Sequence, residues 1–206
     1  GECDGSAMVD DCGVCDGDNA SMDDCGVCDG DSSSCIVFSA EDITTSAAGA
    51  FSVYVADVDG DGNMDVLSAS FDDNTIAWYE NDGSEGFTKI DITTSATGAY
   101  SVYAVDVDGD GDMDVLSASY TDDTIAWYEN DGNEGFTKID ITTSANFAVS
   151  VYAVDVDGDG DMDVLSASEN DDTIAWYEND GSENFTEHNI TTSANGATSV
   201  YAADVD

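Results

Sequence analysis

From Ser52 onward the chain copies itself at a fixed spacing. One copy, SVYVADVDGDGNMDVLSASFDDNTIAWYENDGSEGFTKIDITTSATGAY, opens at Ser52. A second, SVYAVDVDGDGDMDVLSASYTDDTIAWYENDGNEGFTKIDITTSANFAV, opens at Ser101, and further copies open at Ser150 and Ser199. The period is 49 residues each time, without insertion. No other feature limits the fold as strongly, because a unit this small must bury itself against copies of itself.

Each unit divides into four predicted strands. In the second copy they are SVYAVDV (101–107), MDVLSAS (113–119), TIAWYEN (124–130) and FTKIDITT (136–143). They are rich in Val, Ile, Thr and aromatic residues, and the turn segments DGDGD, YTDD and DGNEG separate them. Short strands joined by tight turns predict an antiparallel meander. Four strands per roughly 40–50 residues is the pattern of a β-propeller blade. The expected class is therefore all-β, a propeller-like array of about three and a half repeats. The pairs Trp78–Tyr79, Trp127–Tyr128 and Trp176–Tyr177 place one aromatic on each face of a strand, which suits packing between neighbouring sheets. A ligand-stacking platform is the other reading of the same pairs.

The phase of the repeats carries an expectation about partners. The segment IVFSAEDITTSA (36–47) aligns with the fourth strand of a unit, full units run over 52–100, 101–149 and 150–198, and the sequence stops inside the first strand of another unit at Asp206. Three full units cannot close a ring, which takes at least about four blades. Further repeats of a longer parent chain, or units of neighbouring copies in a homopolymer, are expected to complete the array.

The acid in the chain needs an explanation. There are 47 acidic residues against two Lys or Arg, a net charge of −45. That excess opposes any compact state unless cations offset it. Disorder is excluded by the 41% apolar content, which falls in strand-like runs. Nucleic acid is an unfavourable partner without basic residues to meet phosphates. No stretch is apolar for long enough to span a membrane as a helix.

Much of the acid is concentrated in one recurring loop, DxDxDGxxD. It reads DVDGDGNMD at 57–65 and DVDGDGDMD at 106–114 and 155–163, and a further copy begins at Asp204 and Asp206. Alternate carboxylates can converge on one centre, and Gly at position 6 permits the sharp turn. Hard oxygen donors at this density select Ca2+ or Mg2+, and Ca2+ tolerates the larger irregular shell. The side-chain ligands expected are Asp57, Asp59, Asp61 and Asp65; Asp106, Asp108, Asp110 and Asp114; and Asp155, Asp157, Asp159 and Asp163. Position 7 (Asn63, Asp112, Asp161) is expected to give its backbone carbonyl. An EF-hand is excluded, because position 12 is Ser68, Ser117 or Ser166 rather than Glu and lies in a β-type run.

Around these loops, ADVDGDGNMDVLSAS and its copies resemble the FG-GAP/VCBS repeats of integrin-α-like β-propellers. The resemblance covers about four-fifths of the chain, residues 36–206. It implies a propeller, usually of seven blades, in which the Asp loop joins the first two strands of a blade and binds Ca2+. It also implies an extracellular adhesive or scaffolding role without catalysis. The chain departs from the family where GAFSVY, GAYSVY and GATSVY replace its proline-containing portion.

Residues 1–35 form a separate predicted segment containing all six cysteines. DDCGVCDGDNASM is followed by DDCGVCDGDSSSC, so Cys12 and Cys15 recur as Cys25 and Cys28. This spacing suits a zinc site. Adding Cys3 and Cys35 makes an even set that suits disulfides in an oxidising compartment, and Cys3–Cys12, Cys15–Cys25 and Cys28–Cys35 is the pairing we adopt. The segment loosely resembles thrombospondin-type calcium repeats. The sequons at Asn19, Asn184 and Asn189 are candidate N-glycosylation sites.

No set of nucleophile, base and acid stands out. The lone histidine, His188, replaces Ile90 and Ile139 of the earlier copies. The functional expectation is an extracellular or cell-surface calcium-binding module of a larger surface or filament-forming protein. A calcium-dependent carbohydrate-binding propeller is the second expectation, with glycans or surface proteins as partners.

Overall fold

The computed structural model describes residues 41–84 and 86–205. The cysteine pairing or zinc site, the sequon at Asn19, and Asp206 lie outside the described residues. Among the described residues there is no helix. The described residues form twelve strands: β1 (Ala50–Ala56), β2 (Asp65–Ser70), β3 (Thr75–Asn81), β4 (Phe87–Thr93), β5 (Ala99–Val105), β6 (Asp114–Ser119), β7 (Thr124–Asn130), β8 (Phe136–Thr142), β9 (Ala148–Val154), β10 (Asp163–Ser168), β11 (Thr173–Asn179) and β12 (Phe185–Thr191).

The strands pair as three four-stranded antiparallel sheets, ordered β1-β2-β3-β4, β5-β6-β7-β8 and β9-β10-β11-β12. Each sheet is one repeat, as the pattern predicts, and the three do not close into a ring. The first strand of each unit starts and ends two residues earlier than its sequence pattern suggests. Asp106 and Val107 leave the ladder because the Val107 N–H donates to the Asp114 carboxylate. The first and last strands of each sheet are bulged. Phe51 and Tyr100 are extra residues opposite β2 and β6, and Ile92 and Ile141 are extra opposite β3 and β7. Such bulges increase local twist.

The core lies between sheets. Val58, Leu67, Ile76 and Trp78 of the first sheet pack against Ala99, Val102, Val115 and Tyr128 of the second. Val107, Leu116, Ile125 and Trp127 meet Ala148, Val151, Val164 and Tyr177 of the third in the same way. Trp78 and Trp127 are thus packing residues facing the next sheet, and Tyr128 and Tyr177 face the preceding one, whereas Trp176 is only half-buried on the third sheet. Phe136 and Phe185 meet Trp78 and Trp127 edge-on, at ring centroid distances of 6.4 and 6.3 Å.

The first strands of successive sheets lie side by side. The Val102 N–H donates to Ser52 Oγ at 3.4 Å, and Val151 and Val200 repeat the bond to Ser101 and Ser150. Tyr54, Tyr103, Tyr152 and Tyr201 stack along this edge with centroids 4.7, 5.0 and 4.8 Å apart.

At the opposite end from the Asp loops, the crossing to the next sheet is latched. Asn74 Oδ1 accepts the Gly98 N–H, and Asp123 and Asp172 do the same for Phe147 and Gly196. Phe147 has φ 58°, where the matching positions are Gly49, Gly98 and Gly196. A bulky side chain there carries roughly 1–2 kcal/mol of strain. Its ring stacks on Tyr120 at 4.4 Å, extending an aromatic row that includes Phe51, Phe71 and Tyr100.

Candidate metal centres

Each Asp loop joins the first two strands of its sheet. Gly60 and Gly62 have φ of 73° and 94°, and their counterparts in the other loops are also left-handed. These values let the chain turn tightly enough to bring alternate aspartates together. The loop is also tied by its own carboxylates. Asp57 Oδ2 accepts the Gly62 N–H at 3.0 Å, Asp59 Oδ1 accepts Asp61 N–H at 3.1 Å, and Asp61 Oδ1 accepts Asn63 N–H at 2.7 Å. The second and third loops repeat these bonds through Asp106, Asp108 and Asp110, and through Asp155, Asp157 and Asp159.

Position 9 stands apart. Asp65, Asp114 and Asp163 are fully buried. In the second loop, Asp114 Oδ2 accepts the Val107 N–H at 3.0 Å and Oδ1 accepts the Asn130 N–H at 2.8 Å. Asp65 and Asp163 hold the same two partners in their sheets. Burial pushes the Asp114 carboxyl up to about 6, against the opposing pull of the Asn130 and Val107 N–H groups and of the Trp127 indole facing it.

Three carboxylates converge in each loop. Oxygens of Asp57, Asp59 and Asp61, of Asp106, Asp108 and Asp114, and of Asp155, Asp157 and Asp163 lie within 4.8 Å of one another. The expected ligands thus fall together as triads. Positions 1 and 3 belong to every triad, joined by position 5 in the first loop and by position 9 in the other two. Asp65, Asp110 and Asp159 remain in their loops beside these triads. The side chains at position 7 reach toward the following turn, although Asn63 Nδ2 also donates to Asp61 Oδ2 at 2.8 Å. Asn63 lies over Gly83, and Asp112 and Asp161 lie over Gly132 and Gly181 of the following turn. Asp204 is exposed at the far end of the described chain.

The donor set fits a hard divalent cation. Asp57 Oδ1 is buried and has no hydrogen-bond partner, so it is left to meet a cation. Each carboxylate that accepts one N–H keeps further lone pairs. Burial raises the carboxyls of Asp59, Asp108 and Asp157, and neighbouring aspartates add to the rise. The effect extends across the sheet boundary. Glu80 is raised by burial and then by Glu134 of the next sheet, and Glu129 by burial and then by Glu183. A space of about 430 Å³ between the first loop and the second sheet is lined by Asp59, Trp78, Asp112, Asn130 and Glu134.

Asn81, Asn130 and Asn179 have a role that sequence reasoning missed. They end β3, β7 and β11, inside the predicted strand TIAWYEN, and each ties the following turn to its Asp loop. Asn130 Oδ1 accepts the Gly132 N–H, and its Nδ2 donates to the Met113 carbonyl. The YENDG repeated in the three full copies was the available signal.

The His188 Nε2–H donates to Glu178 Oε2 at 2.7 Å, and the ring stacks on Trp176. The sequon residues Asn184 and Asn189 are exposed.

The family model for the FG-GAP-like repeat matches residues 57–117, 106–166 and 155–206, each match running from one Asp loop into the next. The chain belongs to the FG-GAP-like repeat family. No curated protein matches it. Among solved structures it is similar to an Agrocybe aegerita lectin that recognises non-reducing terminal N-acetylglucosamine. The identity is 16% and the TM-score 0.51, over 71% of this chain and 41% of the lectin. A catalytically inactive virginiamycin B lyase from Staphylococcus aureus matches at 16% identity and a TM-score of 0.46, over 70% of this chain and 42% of the lyase. The V. cholerae biofilm matrix protein Bap1 matches at 20% identity and a TM-score of 0.44, over 72% of this chain and 21% of Bap1. The FG-GAP-like chain therefore spans less than half the length of each. At such identities the likeness to the lectin is one of fold. Among the described residues no helix is long and apolar enough to cross a membrane.

Proposed function

We propose that this chain is a calcium-binding, non-catalytic structural or adhesive module of a larger extracellular or cell-surface protein. The observation that carries the reading is the threefold recurrence of a carboxylate triad at the same turn of each sheet. A cation there would bridge the end of the first strand and the start of the second, and would offset acid that otherwise opposes compaction. Three divalent ions would supply six positive charges against a net −45, so the surface would stay strongly acidic. The near-identical interfaces between sheets suit a regular array, continued by further repeats of a parent chain or by neighbouring copies. An oxidising location suits the disulfide reading of residues 1–35.

Carbohydrate binding is the second reading. The row Phe51, Phe71, Tyr100, Tyr120 and Phe147 supports it, since part of that row is exposed and one member is held in a strained backbone. A glycan array probed with and without EGTA separates the two. Chelator-sensitive glycan binding favours the lectin, and ordered self-assembly without glycan binding favours the scaffold.

A further inference from the structure

Two asparagines connect each Asp loop to the next. Asn130 holds its own loop through the bond from its backbone N–H to Asp114 and through the bond from Nδ2 to the Met113 carbonyl. The same Nδ2 also donates to the Val58 carbonyl of the preceding sheet at 3.3 Å. Asn179 repeats the arrangement with Asp163, Met162 and the Val107 carbonyl. Val58 and Val107 sit between positions 1 and 3 of their loops, and their N–H groups are already bound to Asp65 and Asp114. The N–H and the carbonyl of the residue between two ligand positions are therefore both held, the first by its own loop and the second by the next sheet.

The first sheet supplies a natural comparison. Asn81 makes the same bonds within its sheet, to Asp65, Met64 and Gly83. Among the described residues it has no preceding loop to bond to, and it is only half-buried, whereas Asn130 and Asn179 are 4% and 3% exposed. At the other end, Val156 is 42% exposed where Val58 and Val107 are 3%.

We propose that Asn130 and Asn179 couple neighbouring metal loops, so that a cation in one loop strengthens binding in the next. The inference rests on the calcium reading of the loops. Ordering the first loop fixes the Val58 carbonyl as an acceptor. That immobilises the Asn130 amide, which in turn holds positions 8 and 9 of the second loop in place. The second cation then orders a loop that is already partly ordered, and the sign of the coupling is positive.

The test is a Ca2+ titration of the whole chain, read by the hydrogen-exchange protection of 57–65, 106–114 and 155–163 separately. Asp57→Asn with Asp59→Asn disables the first loop. Coupling predicts that the untouched second loop then loses at least about fivefold in apparent affinity. In an Asn130→Ala background the same pair of substitutions should have no further effect on the second loop. Asn81→Ala, which loses only bonds within its sheet, should weaken the first loop and leave the second at its wild-type affinity for a filled neighbour less only the first loop's lost occupancy. An unchanged second-loop affinity in the Asp57, Asp59 double variant overturns the coupling and leaves the calcium reading intact. If wild type shows no calcium-dependent protection in any loop, the calcium reading itself fails.

Discussion

Within each loop two kinds of aspartate perform different tasks. Asp114 is buried and accepts two backbone N–H groups, whereas Asp110 is exposed and accepts one. In EGTA, Asp114→Ala should cost roughly 2–6 kcal/mol in urea unfolding, since it orphans two buried donors at about 1–3 kcal/mol each. Asp110→Ala should cost under about 1 kcal/mol in EGTA and show its main effect only with Ca2+ present. Equal losses for the two in EGTA would contradict this division. The spacing DxDxDGxxD was enough to find all of these residues. It could not separate position 9 from the rest, because the donors on Asp114 come from the fold: Val107 is seven residues upstream and Asn130 sixteen downstream. Asn130 was less legible still, as its partner Val58 lies 72 residues away in another sheet.

At the scale of strands and sheets, period and turn residues located all twelve strands of the three full units, with boundaries moved by only a residue or two, whereas the further first strand expected from Ser199 is not formed over 199–205. The shift in β5 arises where loop carboxylates compete with the ladder for N–H groups. The bulges at Tyr100 and Ile141 leave no mark in the alternation of apolar residues. Nor does the φ of Phe147, since nothing in a sequence announces an aromatic in a glycine's conformation except comparison with its own repeats. The interfaces between sheets make a clear prediction. Trp127 is fully buried between the second and third sheets, whereas its copy Trp176 is only half-buried on the third. Trp127→Ala should destabilise by about 3–5 kcal/mol and Trp176→Ala by markedly less, both measured by urea unfolding. A Trp176→Ala loss as large as that of Trp127→Ala would mean that the outer face of the third sheet is covered.

For the whole molecule the dominant fact is charge. A net −45 on a chain with two basic residues makes the metal-free fold sensitive to screening. With EGTA present, raising NaCl from about 0.05 to 0.5 M should raise the Tm, and with Ca2+ bound the rise should be smaller. A metal-free Tm indifferent to salt would show that self-repulsion does not limit this fold. The same acid makes calcium the central claim, and thermal unfolding tests it most directly. The wild-type chain and the triple variant Asp57→Asn, Asp106→Asn, Asp155→Asn should be melted side by side in excess Ca2+ and in EGTA. Ions that bind only the folded chain add about 2.7 kcal/mol per site at a hundredfold excess over Kd, or roughly 5–10 °C per ion. We expect a Tm increase of that order in the wild type and little or none in the triple variant, whereas a wild-type Tm that is the same in Ca2+ and EGTA would contradict the account.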